Sequence, residues 1–264
     1  MIAVGGASPA LDAISAMLSE IPDEEFAAAL DACASEVLWE AGIIEPPVDA
    51  REVAAGLGLG VARDFGMSHR GRFVRLAECE GNDGGLGTIV VGLAERPERE
   101  QWAVAHEIGE SVAYRVFERL GISLDEVLPA ARELVANRLA GALLLPRRWF
   151  AADGPELDWD VLSLKERYNT ASHELIARRM LEMRPPIVIT LCDHGRVRWR
   201  RSNVTARPPA MLSEERSVWH ESHVTGLLAS ESLDAQSGLE LIRCWPIHEP
   251  DWKREILRSE IAEW

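Results

Sequence analysis

The chain is 264 residues long, 47% hydrophobic and 27% charged, with a formal net charge of −15. These values describe an ordinary soluble globular protein with room for one large domain or two smaller ones. They exclude membrane spanning, since no stretch approaches the roughly 18 uninterrupted apolar residues a span needs, and the opening "MIAVGGASPALDAISAMLSE" lacks the basic start of a secretory signal.

A cytoplasmic location is therefore expected. Cys33, Cys79, Cys192 and Cys244 show neither CxxC spacing nor the density of a disulfide scaffold, and they read as free thiols. Residues 1–183 carry 17 Lys+Arg against 31 Asp+Glu, a balance of −14, and residues 184–264 carry 11 against 12, a balance of −1. So acidic a body repels a phosphate backbone, and direct DNA binding is disfavoured.

In chain order, "DEEFAAALDACASEVLWEAGI" sets Phe26, Leu30, Val37 and Leu38 at near-helical spacing. "PPVDAREVAAGLGL" predicts a second short helix with Asp49 near its start and Gly56 near its end. "GRFVRLAEC" alternates and "LGTIVVGLA" is β-branched, which predicts a hairpin turning at "EGNDGG". Pro97 suits a first helical turn and Gly121 the left-handed position that ends a helix, so one long helix is expected between them. Ala105, Ile108, Val112, Val116 and Leu120 form one stripe of that helix, with His106, Glu110, Ala113 and Phe117 on the adjacent one. A second helix is expected from near Pro129 through "ARELVANRLAGALLL" to Pro146, joined by a connection short enough to make the two antiparallel neighbours. Beyond residue 156, "DWDVLSLKERYNTASHELIARRMLEM" has two helical periods around "NTA". Two strands around "DHG", a helix near 213–225, a strand at "LELIRCWPI" and a final helix complete the reading, with no internal repeat.

The long helix carries "HEIGE" at 106–110, where a zinc peptidase would have HExxH. Four residues make about 400° of rotation, so His106 and Glu110 project from one side and can meet at one ion. Glu107, offset by about 100°, cannot share that primary position but can reach a water there. Gly109 leaves room for close packing, and the following helix offers Glu133 as a third ligand. Spacing alone favours an ordinary i,i+4 pair of His106 and Glu110 on a solvated face.

"WAVAHEIGE" followed by "ELVANRLAGALLLP" resembles the ImmA/IrrE family of metallo-endopeptidases, in which an HExxH helix precedes a helix reading ExxxN, then small residues, then LLxP. "IIEPPVDAREVAAGLGLGV" and "LKERYNTASHELIARRM" fit the same layout, so the resemblance spans about residues 28–183. It implies an α+β fold: a zincin-like peptidase domain over 1–155 with a small antiparallel sheet and an HExxH-type helix, a helix-turn-helix-like segment over 156–183, and a small α+β region over 184–264. It further implies His106, Glu110 and Glu133 as metal ligands, Glu107 as general base, Zn²⁺ as cofactor and a transcriptional repressor of helix-turn-helix type as the cleaved protein partner. Asn137 and Pro146 anchor the match without assigned chemistry.

Glu110 departs from the pattern. Zn²⁺ with two histidines and one carboxylate carries +1, whereas one histidine and two carboxylates leave it neutral, so water at the ion is less acidified and a carbonyl less polarised. An oxygen-rich set also suits Mn²⁺ or Fe²⁺. A slower peptidase and a catalytically inactive regulatory module that binds protein or DNA are both compatible with that change. For a live peptidase, "TIVVG" is the candidate edge strand to align an extended peptide, against the plainer reading of a core strand. Tyr114, Tyr168 and His173 are the open choices for an oxyanion donor.

Elsewhere, Arg196, Arg198 and Arg200 alternate in "GRVRWRR", which reads first as an exposed strand face and second as a phosphate or acidic-partner stripe. The helical pair around "NTA" holds Glu166, Glu174 and Glu182 among few basic residues, which favours packing support over DNA reading. His173, His194, His220, His223 and His248 show no spacing that joins them to the motif, and "HESH" at 220–223 reads as helix-face polarity. Trp245, Trp252 and Trp264 read as core or interface residues.

Overall fold

Asp23–Glu40 forms α1, whose Ala29, Leu30, Cys33, Ala34, Val37 and Leu38 are buried, and Ala50–Gly56 forms α2. The Asp49 carboxylate accepts the Arg51 N–H at 2.7 Å and caps α2 as its position predicts. At the other end, a Cβ on Gly56 would stand 2.5 Å from the Ala41 carbonyl oxygen, so only glycine fits there. The computed structural model describes residues 21–68, 71–75, 87–234 and 237–262. Residues 1–20, Cys79, the turn "EGNDGG" and Trp264 lie outside the described residues.

Strands β1 (Gly60–Ser68), β2 (Gly71–Arg75) and β3 (Gly87–Leu93) form a sheet in the order β1-β3-β2. β2 and β3 pair antiparallel with Phe73 opposite Ile89, as the alternation predicts. β1 is a strand that its own sequence, GVARDFGMS, does not announce, and it pairs with β3 in parallel, Gly60 opposite Thr88. This corrects the edge-strand reading of "TIVVG". Both hydrogen-bonding edges of β3 are taken by neighbours, and Ile89 and Val91 are fully buried, so it is a core strand that cannot pair with a peptide.

Helix α3 (Pro97–Arg119) begins with proline in its first turn and passes into Gly121 at φ +69°, both as predicted. Its Val104, Ala105, Ile108, Val112, Ala113, Val116 and Phe117 are buried. After a 3₁₀ turn at Leu124–Glu126, α4 (Pro129–Leu144) packs against α3. The two are not antiparallel: His106 faces Glu133 while Gly109 faces Ala136 and Leu139, so residue numbers rise together along both helices. The connection is long enough, with its 3₁₀ turn, to swing the second helix across the first. Pro146 then stops α4, and α5 (Arg147–Glu156) starts directly behind it.

Two compact units emerge from the contacts within the chain: Met1–Asp153 with Arg167–Ala171, and Gly154–Glu166 with Ser172–Trp264. The expected helical segment 156–183, with its helices α6 (Val161–Arg167) and α7 (His173–Met180), is divided between them.

In the second unit, β4 (Ile187–Asp193), β5 (Arg196–Ser202), β6 (Ala229–Ser232), β7 (Leu239–Glu249) and β8 (Trp252–Ile261) form one antiparallel sheet in the order β5-β4-β8-β7-β6. His194 at φ +49° and Gly195 at φ +72° make the tight β4–β5 turn that "DHG" predicts. Helix α8 (Ser213–Thr225) packs on β6, β7 and β8 over Cys192, Val218, Leu239, Ile242, Cys244 and Leu257. The expected final helix is β8 instead. Its Leu, Lys, Arg and Glu residues favour a helix locally, but hydrogen bonding to β4 on one side and β7 on the other, with Glu255–Ser259 buried, overrides that preference.

The basic stripe is corrected as well. Arg200 points inward, its two Nη groups donating to the carboxylate oxygens of the fully buried Glu215 at 3.0 and 2.9 Å, while a register shift beside Leu191 breaks the alternation with Arg196 and Arg198. Helix α7 is tied down rather than presented to a groove: Glu174 binds Arg178, Trp199 and Arg254, and Arg179 is buried beside Glu182. Among the described residues no helix is long and apolar enough to cross a membrane.

Candidate metal centre

The "HEIGE" turn sits mid-helix in α3, on the side that faces α4. One ligating atom each from His106, Glu107 and Glu110 lies within 4.8 Å of the others, so the 100° offset of Glu107 does not carry its carboxylate away from the group. Environments differ sharply along this turn. Glu107 is buried at 4% exposure, the His106 side chain is 16% exposed and Glu110 opens to solvent.

Glu133 on α4 approaches His106 from the facing helix. Its Oε2 stands 3.6 Å from His106 Nε2, and two donors around a tetrahedral ion at about 2.1 Å are themselves roughly 3.4 Å apart. The Glu133 side chain is 62% exposed, so burial does not hold it; Asn137 does. The Asn137 amide donates to the Glu133 backbone carbonyl at 2.8 Å and to its Oε1 at 3.1 Å, leaving Oε2 turned to the imidazole. Sequence alone gave Asn137 no role, although its i,i+4 spacing from a proposed ligand is the signal that points to one.

Gly109 brings the two helices together. A Cβ there would meet the Ala136 carbonyl oxygen at 2.8 Å and Leu139 Cβ at 3.1 Å, so glycine is what permits the separation at which Glu133 reaches His106. At the entry to α3, Arg51 and Arg63 both bind the Glu100 carboxylate. Burial raises the pKa of Glu100, but hydrogen bonds from the two guanidinium groups outweigh it and hold the carboxyl below its usual range.

One imidazole nitrogen with the carboxylates of Glu107 and Glu110 on α3, and Glu133 approaching the same imidazole from α4, are donors of a kind that suits a divalent cation of borderline to hard character such as Zn²⁺, Mn²⁺ or Fe²⁺. Glu110 gathers with His106 and Glu107 on α3, and Glu133 approaches His106 from α4.

Residues 66–181 match the IrrE N-terminal-like domain, a peptidase family that includes this helix pair within its bounds. Residues 66–181 are thus similar to an IrrE N-terminal-like domain. That domain is metallopeptidase-like, and its family is generally metal-dependent. A Mycobacterium tuberculosis transcriptional regulator of solved structure is similar in fold, with a TM-score of 0.61 and 18% identity over 88% of this chain and 75% of that one. No curated protein matches.

Of the three candidate oxyanion donors, Tyr168 is withdrawn: it is fully buried and its hydroxyl donates to Asp153 at 2.7 Å. Tyr114, one helical turn beyond Glu110 in the IrrE N-terminal-like domain, is 42% exposed, and Arg115 donates to its hydroxyl at 3.3 Å. His173 belongs to the second unit.

Proposed function

We propose that the IrrE N-terminal-like domain is a metal-dependent endopeptidase that hydrolyses a peptide bond in a protein partner, a transcriptional repressor of helix-turn-helix type. The observation that supports this reading is the gathering of His106, Glu110 and the buried Glu107 on one turn of α3, with Glu133 of α4 3.6 Å from the His106 imidazole. His106, Glu110 and Glu133 would hold the cation. When bound, it supplies Lewis acidity that polarises the scissile carbonyl and acidifies water. Glu107 takes the proton from the attacking water onto a carboxylate oxygen and returns it to the amide nitrogen of the leaving strand. Its burial keeps that carboxylate in a fixed place and a low dielectric, where proton transfer is sensitive to position. Asn137 acts as a positioning residue by orienting Glu133.

A second reading, a catalytically inactive module that regulates by binding, is favoured by Glu110 itself. Its carboxylate makes the site electrically neutral with a divalent ion and so lowers the drive for hydrolysis. Metal binding and cleavage separate the two. Glu107→Gln should keep the wild-type metal content while cleavage of a repressor encoded beside this protein falls roughly 10²- to 10⁴-fold. Glu110→Ala should lose metal affinity, and Glu110→His should keep it and raise the cleavage rate. Equal cleavage by wild type and Glu107→Gln would remove Glu107 from the chemistry. Metal content unchanged in Glu110→Ala would remove Glu110 from the ligand set.

A further inference from the structure

His223 stands in the last turn of α8, His248 in β7 and Glu255 in β8. Nothing in their spacing joins them, yet all three reach one point. His223 Nδ1 lies 2.8 Å and His248 Nε2 2.6 Å from the same oxygen, Glu255 Oε1, with the rings 79° apart. Trp219, one helical turn before His223, donates its Nε1–H to Glu255 Oε2 at 3.1 Å. The Glu255 side chain is fully buried, whereas the His223 and His248 side chains are 30% and 20% exposed.

A carboxylate only accepts, so each ring nitrogen facing Oε1 carries a proton in this arrangement. Glu255 is thereby an anion taken out of water and met by two imidazoles and an indole. Burial raises its pKa, but hydrogen bonds from His248, Trp219 and His223 hold the carboxyl below its usual range. Two imidazole nitrogens and one carboxylate oxygen, all within 4.8 Å of one another, are the donor set of a transition-metal site. Trp219 holds the second carboxylate oxygen as an outer partner holds that of a ligating carboxylate, and the exposed sides of the rings leave further positions to water.

We infer that His223, His248 and Glu255 form a second site, in the C-terminal unit and separate from the α3–α4 group, for a first-row divalent transition cation such as Zn²⁺ or Fe²⁺. Each neutral ring can pass its proton to its other nitrogen through solvent and present the lone pair instead. Donors around a tetrahedral ion stand roughly 3.4 Å apart, so the rings must back away from Glu255 by about 0.6–0.8 Å, a movement that their partly exposed positions allow. The ion would fasten the end of α8 to the β7–β8 hairpin, three elements otherwise joined there by hydrogen bonds.

The test is equilibrium dialysis of the full chain against Zn²⁺, with His106→Ala to disable the α3–α4 group. That variant should still bind one equivalent, and adding His223→Ala or His248→Gln should weaken the remaining binding on the order of 100-fold or more. His248→Gln keeps an N–H for Glu255 and so preserves the fold, which circular dichroism checks. Zn²⁺ should also raise the unfolding temperature of the His106→Ala chain, and not after His248→Gln is added. Absence of Zn²⁺ binding in the His106→Ala chain, or binding unaltered by His248→Gln, would overturn the inference.

Discussion

Replacing Gly109 by alanine tests whether the helix contact sets the metal centre. The added Cβ would stand 2.8 Å from the Ala136 carbonyl oxygen, 3.1 Å from Leu139 Cβ and 3.3 Å from Ala136 Cα. Two of those atoms belong to the backbone of α4, so no side chain can rotate away and the helices must part by a few tenths of an ångström. Alanine gains about 1 kcal/mol of helix preference over glycine, while overpacking of this kind costs about 1–3 kcal/mol, so the net effect on stability is a loss of about 0–2 kcal/mol. The effect on the metal centre should be larger in proportion, because Glu133 rides on the helix that moves and its 3.6 Å approach to His106 widens with it. An affinity loss of about 10- to 100-fold is expected, the range for disturbing the support of a metal ligand. Urea unfolding in chelator gives the stability term, and Zn²⁺ competition against a chromophoric chelator gives the affinity. Gly109→Ala that is about 1 kcal/mol more stable than wild type with unchanged Zn²⁺ affinity would show that the helices are not held at this separation.

Two further outcomes follow from groups away from that centre. Burial pushes the Cys33 thiol up to about 11 and the Cys244 thiol up to about 12, and raises that of Cys192 as well, so none of the three should react with a disulfide reagent at pH 8 until denaturant is added. Reaction of any of them in the native chain, read by mass spectrometry of digested protein, would contradict their placement. Burial raises the pKa of Asp160, but the Ser163 N–H at 2.7 Å and the Trp245 indole at 2.6 Å outweigh it and hold the carboxyl below its usual value. With the folded value depressed, its stabilisation is present above about pH 4 and lost as pH falls through the folded pKa. Asp160→Asn keeps the helix cap without the charge, so its deficit of roughly 1 kcal/mol in urea unfolding near pH 6 should shrink below pH 4. A deficit independent of pH would assign the loss to shape rather than charge.

Helix positions in the first unit were legible because their signals are local. Asp49, Pro97, Gly121, Pro129 and Pro146 act on the backbone within a turn of themselves, and the HEIGE spacing fixes which side chains share a helix face whatever surrounds them. The chemistry of His106, Glu107, Glu110 and Glu133 could be suspected on that basis, and the IrrE-like layout narrowed it. Tertiary structure alone decided the rest. β1 and β8 carry too few local β signals to be read, and become strands because β3, β4 and β7 offer unpaired edges whose hydrogen bonds outweigh local preference. That pairing made β3 a core strand, and it carried Glu255 to two histidines 7 and 32 positions away. Arg200 looked like one of three exposed arginines until folding set Glu215 opposite it. A sequence determines what each residue can do within about one turn or one strand pair. Which distant partner it meets depends on the burial and pairing of whole elements, which no local pattern records.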